Sequence, residues 1–127
     1  MAELRPANPP TRGRLIRSFG YAFRGVRMML AEQANARIHG VATVGVVMLG
    51  FFVGLERWEW CAVVGAIGLV WTAEGLNTAI EVLTDLVSPG EHPLAGRAKD
   101  LAAGAVLCAA VVAVVIGAIV FLPKFVS

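Results

Sequence analysis

Apolar positions dominate this chain and gather into three long stretches. Residues 38–55 form a run of 18 without an acid, lysine or arginine, and residues 101–122 a run of 22 without a formal charge. Residues 60–84 are apolar for their first two-thirds and are then interrupted by acids. Each stretch reaches the roughly 17–25 residues a helix needs to cross about 30 Å of hydrocarbon. Gly50 and Gly54, four apart, would permit close helix contact. Upstream the period changes. From Arg14, the side chains of Leu15, Phe19, Ala22, Phe23, Val26, Met29 and Leu30 fall within an arc of about 120° at about 100° per residue. Arg14, Arg17, Tyr21, Arg24 and Arg27 fall opposite. This pattern predicts an amphipathic helix over residues 14–36 lying in the membrane interface. Pro6, Pro9, Pro10 and Gly13 predict a disordered stretch over residues 1–13. The expected fold class is therefore an all-α membrane protein, with three transmembrane helices and an N-terminal amphipathic interfacial helix. No internal repeat suggests an inverted-repeat transporter.

Composition agrees. The 127 residues are 57% hydrophobic and 16% charged, with a mean hydropathy of +0.73, whereas a soluble domain carries about a quarter charged residues. A soluble enzyme and a disordered chain are excluded, and a net charge of +2 is too small for a nucleic-acid partner. Cys61 and Cys108 lie in apolar runs, without the spacing of a zinc site or disulfide framework, and read as small buried hydrophobes. Seven arginines fall within residues 1–37, and Arg97 and Lys99 follow the second span, so nine of the eleven bases share one side. The positive-inside rule makes that side cytoplasmic, giving a multi-pass protein with its N-terminus in the cytoplasm. The turn Glu56-Arg57-Trp58-Glu59 then lies outside, where Trp58 and Trp60 read as an aromatic belt.

The chemistry lies in E-G-L-N-T-A-I-E-V-L-T-D, residues 74–85. On a helix, Glu74, Asn77, Thr78, Glu81, Thr84 and Asp85 share one stripe, with Leu76, Ile80 and Leu83 on the far side. A lone carboxylate in lipid costs several kcal/mol on most scales, so an acidic stripe must face protein, water or a cation. A polar helix–helix seam is the plain alternative, but six polar residues exceed what a seam needs. The first and third spans contain no lysine or arginine to meet these acids. His39, at the edge of the first span, reads as an interface residue, and Trp71 as packing.

Partners come from the second loop. Pro89-Gly90 marks a turn, and Pro93 suits the first turn of a new helix. His92 beside it could serve as a cap. Lys99 and Asp100 then fall near the start of the third span. With Lys99 on phosphate, Asp100 beside a metal or Lys99, and Glu81 on Mg²⁺, the spacing permits a phosphoryl-transfer site. No Gly-rich nucleotide loop of Walker or protein-kinase type is present. The same acids, used as protonatable relay groups, would instead suit a small proton or ion relay, and a purely structural oligomer is a third reading.

The segment E-G-L-N-T-A-I-E-V-L-T-D-L-V-S, followed by H-P-L-A-G-R-A-K-D-L-A-A-G-A-V, resembles the signature of the small bacterial integral-membrane lipid kinases, the prokaryotic diacylglycerol and undecaprenol kinases. The likeness covers about residues 12–125, including R-L-I-R-S-F-G-Y-A-F-R-G, A-R-I-H and the closing F-L-P-K. It implies one membrane lipid-kinase domain over residues 14–127, working as a homotrimer in the bacterial inner membrane. Such enzymes move the γ-phosphoryl of Mg·ATP to a lipid hydroxyl at the cytoplasmic face. By matching position, the resemblance makes Glu74 the general base and Glu81 a ligand of metal and nucleotide. Asn77 lies between them as a site residue. Arg14, Tyr21, Lys99 and Asp100 match nucleotide-binding positions, as do Gly90, Glu91 and His92 in the loop. Asp85 matches a further family acid.

One position departs from the pattern. The family places a second metal-binding Glu four residues before the arginine that opens the first span. Counting back from Arg37, that position holds Gln33, while the neighbouring acid is Glu32. Either Glu32 reaches the ion after a small register change, or the metal site leans on Glu81 and phosphate oxygens. The S-P-G-E-H-P-L loop and F-L-P-K ending look more like the undecaprenol branch, so undecaprenol is the expected acceptor and diacylglycerol the alternative.

Overall fold

The computed structural model describes residues 11–126. They form four helices: α1 (Arg12–Glu32), α2 (Ala34–Val53), α3 (Arg57–Val87) and α4 (Pro93–Val126), with no strand among the described residues. The last three are each long and apolar enough to span a bilayer, which makes this a three-span membrane protein. At about 1.5 Å per residue, α3 and α4 run to about 46 and 51 Å, so both project beyond the hydrocarbon.

Most of the expected disordered stretch, residues 1–10, lies outside the described residues. Arg12 and Gly13, however, already belong to α1. The helix starts there because the Thr11 Oγ1 accepts a hydrogen bond from the Arg14 N–H at 3.4 Å, satisfying a free first-turn donor. The far end differs too: α1 stops at Glu32 rather than running to 36. Gln33 takes an extended backbone (φ −105°, ψ 115°), its N–H bonded to the Met29 carbonyl, and its own carbonyl accepts from the Arg37 N–H in α2. Neither Gly nor Pro marks this break, so the apolar pattern reads straight through it. α1 buries none of its residues. It touches the bundle at Met29, whose Sδ would lie 3.6 Å from a Cβ at Gly75, and at Leu30, 3.9 Å from one at Gly40.

Gly50 and Gly54 serve the α2–α3 turn in different ways. A Cβ at Gly50 would fall 2.7 Å from the Trp60 ring and 2.9 Å from Leu55, so the close approach is to the returning chain. Gly54 ends α2 in the left-handed region at φ +73°, where a side chain would be strained. A capping box then opens α3: the Glu59 carboxylate accepts from the Glu56 N–H at 2.8 Å, and the Glu56 side chain accepts from the third-residue backbone in return.

The principal packing is α3 against α4. Buried Val63, Ala66 and Val70 of α3 and buried Ala102, Ala109 and Val120 of α4 are small enough to bring the two backbones close. Their antiparallel register is pinned at both ends, by Asp85 with Lys99 and by Glu59 with Lys124. α4 begins at Pro93, and the His92 Nδ1 accepts from the Leu94 N–H at 3.1 Å, so His92 caps it. Cys61 and Cys108 are free thiols, yet both are exposed on the single chain rather than buried. Phe51, Phe52, Leu107 and Val114 on the spans are exposed too, and apolar surface of this extent suits lipid or another chain and not water.

Candidate functional site

The acidic stripe of α3 descends from a buried end to an open one. Glu74 is 1% exposed and Asn77 9%, Glu81 is half-buried, and Asp85 is exposed. Thr78 turns its Oγ1 back to the Glu74 carbonyl at 2.9 Å, so its hydroxyl serves its own helix. Two buried acceptors have no hydrogen-bond partner, Glu74 Oε2 and Asn77 Oδ1. A buried polar atom without a partner costs several times what an ordinary hydrogen bond contributes.

His39 is the nearest relief. Its Nε2 stands 3.7 Å from Glu74 Oε2, just beyond hydrogen-bond range. The backbone beneath it is fixed. Thr43 Oγ1 donates to the His39 carbonyl at 2.7 Å and accepts from Trp71 Nε1 at 2.9 Å, which ties α2 to α3 one turn from Glu74. Above this link a cavity of about 390 Å³ opens between α2, α3 and α4. It is lined by His39, Thr43 and Trp71 at its polar end and by residues such as Val46, Val70 and Ala113 beyond.

At the open end, Lys99 Nζ donates to Asp85 Oδ1 at 2.6 Å. Lys99 precedes the apolar part of α4, and this hydrogen bond, with the charges of Asp85 and Glu81, raises its pKa above the ordinary lysine value. Asp100 follows, exposed. Gly90, Glu91 and His92 are exposed in the connecting loop, where Ser88 Oγ donates to the Gly90 carbonyl at 3.1 Å. Arg14 and Tyr21 lie on the exposed length of α1, and the Arg24 guanidinium sits 5.8 Å from the Tyr21 ring. Glu32 ends α1, exposed, and Gln33 is half-buried in the break.

The structure thus joins Glu81, Asp85 and Lys99 in one electrostatic group, and Glu74 with His39 in another. Among the described residues no three His, Cys, Asp or Glu side chains gather where they could hold a metal ion, so Glu32 and Glu81 belong to no such group within one chain. Sequence reasoning undervalued His39, which touches the buried acid, and Trp71, which hydrogen-bonds across to α2. A lone histidine at the end of a span otherwise free of charge was the available signal, because an intramembrane acid needs a partner. Glu59, expected in an outer turn, instead stands in the first turn of α3, 6% exposed and 3.0 Å from Lys124.

The sequence model of a family described as prokaryotic diacylglycerol kinase matches residues 20–121. The chain is 42% identical over 111 residues to an undecaprenol kinase of Bacillus subtilis, covering 87% of this chain and 90% of that one. It is also 42% identical over 114 residues to a diacylglycerol kinase of Synechocystis, covering 89% of this chain and 65% of that longer protein. A diacylglycerol kinase of Escherichia coli is 34% identical over 102 residues, with 80% and 84% covered. Three apolar helices around a buried carboxylate, in a sequence of this kinship, make the class a small helical membrane enzyme. The chain belongs to the prokaryotic diacylglycerol kinase family.

Proposed function

We propose that this chain is a lipid kinase that moves the γ-phosphoryl of Mg·ATP to the hydroxyl of undecaprenol, at the cytoplasmic face of the bacterial inner membrane. One observation carries the reading: Glu74 is buried, its Oε2 has no hydrogen bond, and His39 links it to an apolar cavity. A membrane protein keeps such a group for a task, and a phosphoryl transfer to an alcohol needs a proton acceptor at the hydroxyl. Glu74 takes that proton while the alkoxide oxygen bonds to the γ-phosphorus. The cavity holds the first apolar units of the acceptor, so that its hydroxyl lies at the His39 end.

Lys99, an ammonium at neutral pH like any lysine, neutralises phosphate. Asp100, Gly90, Glu91 and His92 flank it, and Arg14 and Tyr21 approach the nucleotide from α1. Glu81 fits a Mg²⁺ ligand: it is a half-buried carboxylate that feels the Lys99 charge but has no cation within ion-pair distance among the described residues, and its oxygens suit a hard cation. Glu32, or the amide oxygen of Gln33, would be the second protein ligand. The bound ion would neutralise charge on the phosphates. Phosphate oxygens and water complete so small a protein set.

Nine of eleven bases on one side support a cytoplasmic N-terminus, with α1 along the interface and its apolar arc towards lipid. A second groove, lined by Leu76, Asn77, Ile80, Ala105, Cys108 and Val112, is where another copy would pack in a homotrimer and bring a neighbour to Asn77 Oδ1. An ion relay would leave the Lys99–Asp85 pair without a role.

The Bacillus relative and the loop sequence favour undecaprenol; diacylglycerol is the second reading, since the Synechocystis relative is equally similar. Purified protein in lipid, given Mg²⁺, γ-labelled ATP and equal amounts of both alcohols, is expected to label undecaprenol first. Preferential labelling of diacylglycerol selects the second reading. No labelled lipid from either removes the kinase assignment.

A further inference from the structure

We infer that His39 is the positioning residue of Glu74, holding its carboxylate and receiving the proton that Glu74 takes from the acceptor; this rests on the reading of Glu74 as the base. His39 Nε2 is 3.7 Å from Glu74 Oε2, the two side chains being 22% and 2% exposed. That oxygen has no other hydrogen-bond partner, and a single rotamer adjustment of the imidazole would bring the pair into bonding range. The pivot of the ring is set by the Thr43 hydrogen bond to the His39 carbonyl and by Trp71 behind it.

α1 reaches this region through Leu30, which lies against Gly40, the residue after His39, and α4 presents apolar residues such as Ala113 and Val114 to the shared cavity. From α3 come Glu74 and Trp71. Among the described residues, Glu74 is the one carboxylate paired with His39. One edge of the ring meets the sealed carboxylate, while the side chain is 22% exposed and stands two positions from Arg37, at the charged end of α2.

The step balances. The acceptor oxygen forms a bond to the γ-phosphorus, the bond from that phosphorus to the β–γ bridging oxygen breaks, and ADP leaves with the electron pair. The hydroxyl proton passes to Glu74 and then to His39 Nε2, the imidazolium gives its Nδ1 proton to water, and water-assisted tautomer exchange returns the remaining hydrogen to Nδ1. Glu74 is thereby returned to its anionic form for the next turnover, which a carboxylate enclosed by apolar side chains could not achieve quickly alone. Accepting at Nε2 requires the neutral ring to carry its hydrogen on Nδ1, so His39 holds Glu74 once the proton has arrived: first as the acceptor of the carboxylic O–H, then as an imidazolium donating Nε2–H to the carboxylate.

The test compares turnover of the full-length protein and of H39A, H39Q, E74Q and H39A/E74Q, each first checked for assembly in lipid. H39A is expected to lower kcat about tenfold or more, with the KM for Mg·ATP within about twofold of the parent, and added imidazole is expected to restore part of the rate. H39Q can still donate to Glu74 but cannot take up a proton; it is expected to be as slow as H39A. The double variant is expected to be no slower than E74Q, because the two residues act as a unit. Full turnover in H39A or H39Q beside an inactive E74Q overturns the inference and leaves the kinase reading intact. A loss in H39A that ignores imidazole and deepens the E74Q defect also overturns it, assigning His39 to the fold alone. Full turnover in E74Q removes the reading of Glu74 on which the inference stands.

Discussion

Glu59 and Glu74 are both buried carboxylates on α3, and their surroundings separate structure from function. Glu59 accepts a backbone hydrogen bond at 2.8 Å and an ammonium at 3.0 Å; it is satisfied, and it fastens the N-terminal end of α3 to α4. Glu74 has a histidine at 3.7 Å and an oxygen with no donor, the condition of a group waiting for a substrate. Lys99 belongs between these cases. Its pair with Asp85 is exposed on both sides, so solvent screens it and it contributes little to stability. Its charge remains available to phosphate. K99A is therefore expected to raise the KM for Mg·ATP about tenfold while leaving thermal unfolding nearly unchanged, as steady-state kinetics and a melting curve would record. An unchanged KM would remove Lys99 from the nucleotide site.

At the scale of helices, the cavity between α2, α3 and α4 exists because the residues facing it are small or β-branched, among them Ala42, Ala66, Ala110, Ala113 and Gly117. Filling it with A113F is expected to raise the KM for the lipid at least fivefold with little change in that for Mg·ATP, measured by varying each substrate in turn. Equal effects on both would show that the acceptor's chain lies elsewhere. The spans were legible from sequence because an apolar run long enough for a bilayer has few other uses, and α4 starts at Pro93 as its residues predict. The α1–α2 break at Gln33 was not legible, since Ala31-Glu32-Gln33-Ala34 contains no helix breaker. The acidic stripe was equally plain from its spacing. What spacing could not reveal was the packing of α2 on α3, and with it the meeting of His39 with Glu74: they are 35 positions apart, and only the antiparallel register set by Gly50, Trp60, Thr43 and Trp71 brings them together.

For the molecule as a whole, one chain buries little beyond the α3–α4 seam and leaves apolar side chains open along every span. Lipid would cover some of that surface, and the proposed homotrimer would seat a second copy in the groove holding Asn77 and Ala105. A105W, which would block this groove, is expected to turn trimers into smaller species by sedimentation in detergent and to reduce turnover in parallel; an unchanged trimer would assign the groove to lipid. Residue, helix and assembly converge on one claim, that Glu74 removes the proton from a lipid alcohol during phosphoryl transfer. Turnover of E74Q, in protein whose assembly matches the parent and with Mg·ATP and undecaprenol saturating, tests it most directly. The expected result is a fall in kcat of about 100-fold or more with nucleotide binding retained, and turnover equal to the parent's would contradict it.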